Sequence, residues 1–231
     1  MWSLILTLTT NLPNLSPLST IHPPQTLSEV KPMMHSTPHL VLNPLSDSET
    51  EGLLYMREEE KLAHDIYVAL YRRWQMRIFD NIAQSETRHM SAVLSVLNRY
   101  GINDPIAGKN LGVFTNPDLQ QLYNSLVRTG QVSLVEALKV GAEIEELDIA
   151  DLQERSSQTQ NPDLQRLYQN LEQGSHNHLR SFVSTLKRQT GETYQPQHLS
   201  TEQYNAIISS AHERGRQGRN QGRKGYRGGE R

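Results

Sequence analysis

Two apolar stripes in this chain are interrupted by ionisable residues at the depth where a helix normally buries hydrocarbon. At alternating steps of three and four, Leu53, Met56, Glu60, Ala63, Tyr67, Leu70 and Trp74 line one face of a helix, and a single carboxylate breaks the row. A second stripe, Ile82, Glu86, His89, Val93, Val96 and Tyr100, carries a carboxylate and an imidazole one turn apart. Unpaired charge in a helical core is costly, so such residues need partners, and a metal ion is a common one.

The pattern extends over two further helices. Leu134, Leu138, Gly141, Glu145, Asp148 and Leu152 form one seam, and Leu164, Tyr168, Leu171, Ser175, His178 and Phe182 form another. Local signals bound all four. Ser46 or Ser48 caps the first, with Asp47, Glu49 and Glu51 in its first turn, and it runs to about Trp74. The second spans roughly Phe79 to Tyr100 and closes on Gly101. The third runs from about Ser133 to Glu154. The fourth opens at Asn161-Pro162-Asp163, runs to about Gln189 and is followed by Gly191. Between the second and third, residues 101–132 form a long crossover in which Asn116-Pro117-Asp118 starts one short helix. The likeness of Asn116–Tyr123 to Asn161–Tyr168 reads as convergent helix-start chemistry, because two copies do not make a solenoid. The expected fold is all-α, a four-helix bundle of ferritin-like topology over 46–200, followed by a short C-terminal helix or extension at 201–212.

Composition narrows the chemistry. The 231-residue chain has no cysteine, which excludes disulfides, iron–sulfur clusters and thiol catalysis. Residues 213–231 hold seven Lys/Arg and two Glu, net +5, which leaves −7 for the remainder of a chain whose net charge is −2. That Arg/Gly-rich tail has almost no apolar content and reads as a disordered, solubilising end, with weak nucleic-acid binding as the alternative. Residues 1–45 read as a disordered leader, with a weak signal-like start as the alternative. The expected location is accordingly the cytoplasm, with export if that start is a signal peptide. No apolar run reaches the length of a membrane span.

Six seam residues are candidate metal ligands: Glu60, Glu86, His89, Glu145, Asp148 and His178. Carboxylates supply hard anionic oxygens that can bridge two metals, and a neutral imidazole keeps one ring nitrogen for an outer acceptor. Glu146 would replace Glu145 if the third helix were rotated. Glu58, Glu59 and Glu143 fall off the seams and read as solvated surface, and His64 and His176 are also off them. Tyr67 reads as core, with a hydrogen-bond donor beside the ligands as the alternative.

Four ordered segments then resemble a family catalogued only as domain of unknown function 2202, itself similar at fold level to the rubrerythrins. They are Glu58–Tyr67, Ser85–Met90, Ile144–Asp151 and Gly174–Arg180. The resemblance implies a ferritin-like bundle with a carboxylate-bridged diiron-type centre. Rubrerythrin-like first helices carry a Glu three residues before an Ala and seven before a Tyr, which Glu60, Ala63 and Tyr67 match. Glu86 and His89 match the second-helix Glu-x-x-His. The fourth helix departs from the pattern: Ser175 stands where a carboxylate is expected before His178, which leaves a dinuclear or a mononuclear centre open. Asp148, one turn after Glu145, is the residue that would supply the missing charge.

The expected protein is thus a nonhaem iron protein, with manganese or zinc as alternative metals. It would react with oxygen or peroxide and draw electrons from an external donor, and a homo-oligomer is compatible with it. The alternative is metal binding or structure without turnover.

Overall fold

The computed structural model describes residues 44–210, and its secondary structure is helical, with no strand among them. The helices are α1 (Asp47–Trp74), α2 (Arg77–Arg99), α3 (Pro117–Gly130), α4 (Leu134–Gln158), α5 (Pro162–Thr190) and α6 (Thr201–Ser209). The leader and the basic tail expected from the sequence lie outside the described residues, apart from the last two positions of the leader. None of the helices is long and apolar enough to cross a membrane.

Helix ends sit where local chemistry puts them. Ser46 closes a capping box with Glu49 at the start of α1, and Ser200 does the same with Gln203 at α6. The two Asn-Pro-Asp segments both start helices: Asn116 accepts from the backbone N–H groups of Asp118 and Leu119, and Asn161 from those of Asp163 and Leu164. Gly191 ends α5 in the left-handed region at φ 77°. Helix α4 outruns its expected end at Glu154 by a turn, stopping only where Thr159 turns extended.

Packing is closest between α1 and α2 and between α4 and α5, with α1 also meeting α4 and α2 meeting α5. Helix α3 rests on α1 and α4, and α6 on α5. The four long helices enclose two apolar clusters stacked along their length. One contains Tyr67, Leu70, Phe79, Leu138, Phe182 and Leu186; the other contains Leu53, Met56, Val93, Leu97, Leu152 and Tyr168. Along α1, α2 and α5 the change from one cluster to the other spans the polar seam positions, and along α4 it falls just after them, between Ile149 and Leu152.

Glu58 and Glu59 correct the sequence reading, because both are buried. The reason for Glu58 lies in the crossover, which folds back over α1 and turns a would-be solvent face into an interface. Glu58 accepts from the backbone N–H groups of Thr115 (2.5 Å) and Asn116 (3.2 Å). Arg57 forks onto Asp104 at 3.1 and 2.9 Å and also donates to the Met90 carbonyl at 2.8 Å. Lys61 pairs with Asp65 and donates to the Asn110 carbonyl at 2.9 Å, while Asp65 accepts from Gly112 N–H at 2.8 Å. Charged side chains thus satisfy the backbone of a segment that lacks regular structure.

Arg57→Ala is expected to cost about 1.5–3 kcal/mol, the range for hydrogen bonds to charged groups. It should also expose 101–116 to protease before the helices unfold. Limited proteolysis alongside urea denaturation checks both.

Candidate metal centre

The polar layer is assembled by helical periodicity. Glu60 on α1, Glu86 and His89 on α2, Glu145 and Asp148 on α4, and Ser175 and His178 on α5 all lie where the two apolar clusters part. Glu86 sits between both imidazoles, its two oxygens 2.7 Å from His89 Nδ1 and 2.8 Å from His178 Nδ1. His89 Nδ1 also reaches Glu60 at 3.2 Å, and His178 Nδ1 reaches Glu145 at 3.4 Å. The two imidazole rings stack with centroids 5.4 Å apart. One ligand atom from each of Glu86, His89 and His178 falls within 4.8 Å of the others.

Neighbouring groups fix the orientation of these side chains. Ser85 Oγ lies 3.0 Å from His178 Nε2, which leaves Nδ1 turned inward. Tyr67, fully buried, donates to Glu145 at 2.6 Å. The His89 ring lies against Gly174, where any Cβ would collide with its Nε2 edge, so glycine there is a packing requirement of the histidine. Ser175 donates to Asp148 and to the Leu171 carbonyl. The hydroxyl that stands in place of a carboxylate therefore holds the carboxylate that α4 offers from across the interface.

Charge and burial pull against each other here. Burial pushes Glu60 up to about 7 although His89 opposes it. Burial also favours a neutral Glu86, but its two imidazole partners outweigh this and hold it at about 2. The same carboxylates overcome desolvation at the imidazoles, raising His89 to about 11 and His178 to about 10. Burial raises Glu145 and, far more, Asp148, which faces the charges of Glu60, Glu145 and Glu86.

Several buried atoms have no hydrogen-bond partner: Glu60 Oε1, Glu86 Oε1, Asp148 Oδ1 and His178 Nδ1. His178 Nδ1 and Glu86 Oε1 are close enough for a hydrogen bond, yet their angles are not those of one. Carboxylate oxygens left over in a desolvated carboxylate–imidazole cluster fit a metal cation, which the imidazole nitrogens join once they give up their protons, and this donor set suits iron, manganese or zinc.

Five of the six expected residues meet directly, namely Glu60, Glu86, His89, Glu145 and His178; Asp148 stands beside them on Ser175. Glu146 points elsewhere, accepting from Tyr194 Oη at 2.7 Å and Gln197 N–H at 2.8 Å, and so ties down the segment that precedes α6. Glu59 escaped the seam pattern: it is 4% exposed, and burial together with Asp148 and Asp151 raises it well above the carboxylate range. Ser85 and Gly174 escaped it too, because nothing in a serine or glycine one position outside a seam marks it as a neighbour of an imidazole.

Fold and site define a helical protein with a buried carboxylate–imidazole layer. The chain belongs to the family described as an uncharacterized protein domain (DUF2202), whose model matches residues 49–211. It is similar to the uncharacterized protein MJ0754 of Methanocaldococcus jannaschii, 50% identical over 183 residues that cover 79% of this chain and 98% of the relative. It is similar in structure to the crystal structure of hypothetical protein MJ0754 from Methanococcus jannaschii. The TM-score is 0.72 at 50% identity, over 74% of this chain and 98% of that one.

Proposed function

We propose that this layer is a nonhaem metal centre in a ferritin-like bundle related to the rubrerythrins, taking iron or manganese and reacting with oxygen or peroxide. The observation that carries this reading is the convergence of Glu86, His89 and His178 within 4.8 Å, with buried carboxylate oxygens of Glu60 and Glu86 left without a hydrogen-bond partner. Glu60, Glu86 and Glu145 would hold the metal by oxygen, and His89 and His178 by Nδ1.

When bound, iron or manganese supplies one-electron redox chemistry with oxygen or peroxide. The chain's own residues prepare the site. Glu86, central to both imidazoles, aligns them. Tyr67 fixes one oxygen of Glu145 and leaves the other toward His178. Apolar clusters on both sides keep bulk water out, which strengthens every charge interaction within. Without a metal the carboxylates keep both imidazoles protonated at neutral pH, so those protons stand in for the cation's charge. Metal uptake is therefore expected to release protons, seen as a calorimetric enthalpy that varies with the ionisation enthalpy of the buffer.

The test is elemental analysis of the full-length protein after growth with iron or with manganese, beside the Glu86→Ala/His89→Ala variant. One or two ions per chain, lost in the folded variant, followed by consumption of oxygen or peroxide by the ferrous protein, is the expected result. Bound metal without turnover would reduce the reading to a binding protein. A folded wild type that takes up no metal even after anaerobic ferrous addition would end it.

A further inference from the structure

One corner of the bundle holds an arginine that no acid answers. Arg155 on α4 forms no ion pair among the described residues, not even with Asp151 one turn earlier on the same helix. Its Nε is buried without a hydrogen-bond partner, and its guanidinium lies over the Tyr55 ring, 4.5 Å from the centroid. A Cβ on Gly52 would stand 2.9 Å from Arg155 Nη1 and 3.6 Å from the Tyr168 hydroxyl, so both groups face one point above the α1 backbone. The small cavity there has room for a single water-sized atom. Glu49 also borders it, but both of its oxygens are engaged, Oε1 by Thr159 and Oε2 by Ser46.

Arg155 also borders a wider cleft of about 360 Å³, the size of a small-molecule site, with Leu54, Tyr55 and Asn116 in its wall. Two carboxylates line the same space. Glu51 is exposed and has no ion pair among the described residues, and Glu58 spends a single oxygen, Oε2, on the Thr115 and Asn116 N–H groups. We propose that this corner binds a small zwitterion, an amino carboxylate whose carboxylate is held by Arg155 and the Tyr168 hydroxyl and whose ammonium is held by Glu51 and Glu58. A plain anion would meet the two glutamates, and a plain cation would meet the guanidinium, so a ligand bearing both charges matches the lining best. A guanidinium suits a carboxylate in particular, because it offers two N–H groups at once.

The cavity over Gly52 admits one carboxylate oxygen, and the wider cleft takes the rest of the ligand along Leu54. A buried water in that cavity would satisfy the Arg155 Nε–H, yet it would leave the guanidinium without a counter-charge beside an open cleft. None of these residues belongs to the carboxylate–imidazole layer, so the site stands or falls independently of the metal reading.

Calorimetric titration of the full-length protein provides the test. The probes are the unbranched ω-amino acids from glycine to aminohexanoate, beside acetate and methylammonium, which present each charge alone. One length in the series is expected to bind saturably, about tenfold or more tighter than either single charge. Arg155→Gln and Glu51→Gln should each weaken that binding by about tenfold or more, the loss of one charge-assisted contact. Glu51 is exposed, so Glu51→Gln preserves the test if Arg155→Gln fails to fold. A folded wild type that binds no member of the series would overturn the proposal and leave solvent as the partner of Arg155. An affinity unmoved by both variants would overturn it too. Acetate bound as tightly as the best amino acid would overturn it in favour of a plain anion site.

Discussion

Glu86→Ala, in protein stripped of metal by chelation, is expected to lose about 3–5 kcal/mol of stability, the range for removing one partner of a buried ion pair. The wild-type carboxylate is 2% exposed and faces two imidazoles at once. Its removal leaves two rings with stacked centroids 5.4 Å apart, both inclined to carry charge, with less anionic charge to hold it. The pH profile separates this cause from simple loss of packing.

His89 and His178 have folded values raised above 6.5, to about 11 and about 10, so their stabilisation is complete below 6.5 and fades as pH climbs through those values. Glu60, raised from 4.5 to about 7, acts in the same sense over that lower window. Glu86 is depressed from 4.5 to about 2, so its contribution persists across neutral pH and is lost only as pH falls through about 2. Chelated wild type should therefore lose stability steadily from the mildly acidic into the alkaline range. The Glu86→Ala variant should show a shallower decline, because its imidazoles titrate nearer their ordinary value. Urea midpoints across pH, in chelator, measure both slopes; parallel profiles would mean that Glu86 does not hold the imidazole charge.

Phe182→Ala is expected to cost about 3–5 kcal/mol in its own right, the range for truncating a fully buried aromatic. The Phe182 ring is 0% exposed and lies against Tyr67 and Phe79, with centroids 5.2 and 5.8 Å away. It also fills the space over Gly141, where any Cβ would collide with three of its ring carbons.

Two effects compete in Gly141→Ala. Alanine gains up to about 1 kcal/mol in helix propensity, while overpacking costs about 1–3 kcal/mol. Because the ring is wedged between two other aromatics, the clash should win and the variant should be destabilised. In a Phe182→Leu background the clash is relieved, and the same substitution should become neutral or stabilising. Additive effects in the double-mutant cycle would show that the ring does not set the cost of a side chain at 141.

Much of this architecture was legible in the chain because the forces behind it are local. Alternation by three and four identified the four long seams, Ser46, Asn116, Ser133 and Asn161 announced helix starts, and Gly191 marked an end. Six polar interruptions on four seams named the residues of the layer, since helical period alone decides which positions face inward. What periodicity cannot see is which solvent face another segment will cover. Glu58 and Glu59 fell on the outer side of α1 by angle. The crossover covers the first, and the side of α4 that carries Asp148 and Asp151 covers the second. Glu145 and Glu146 are neighbours on one turn, and only the contacts on each side assign the first to His178 and the second to Tyr194. The sequence by itself determined the helices and the polar membership of their inner faces, because those depend on hydrogen bonding and burial within a few residues. Tertiary structure alone decided that Asp148 meets Ser175, that Glu86 serves two imidazoles and that Glu60, Glu86 and Asp148 each keep a carboxylate oxygen without a partner, because those are distances between helices.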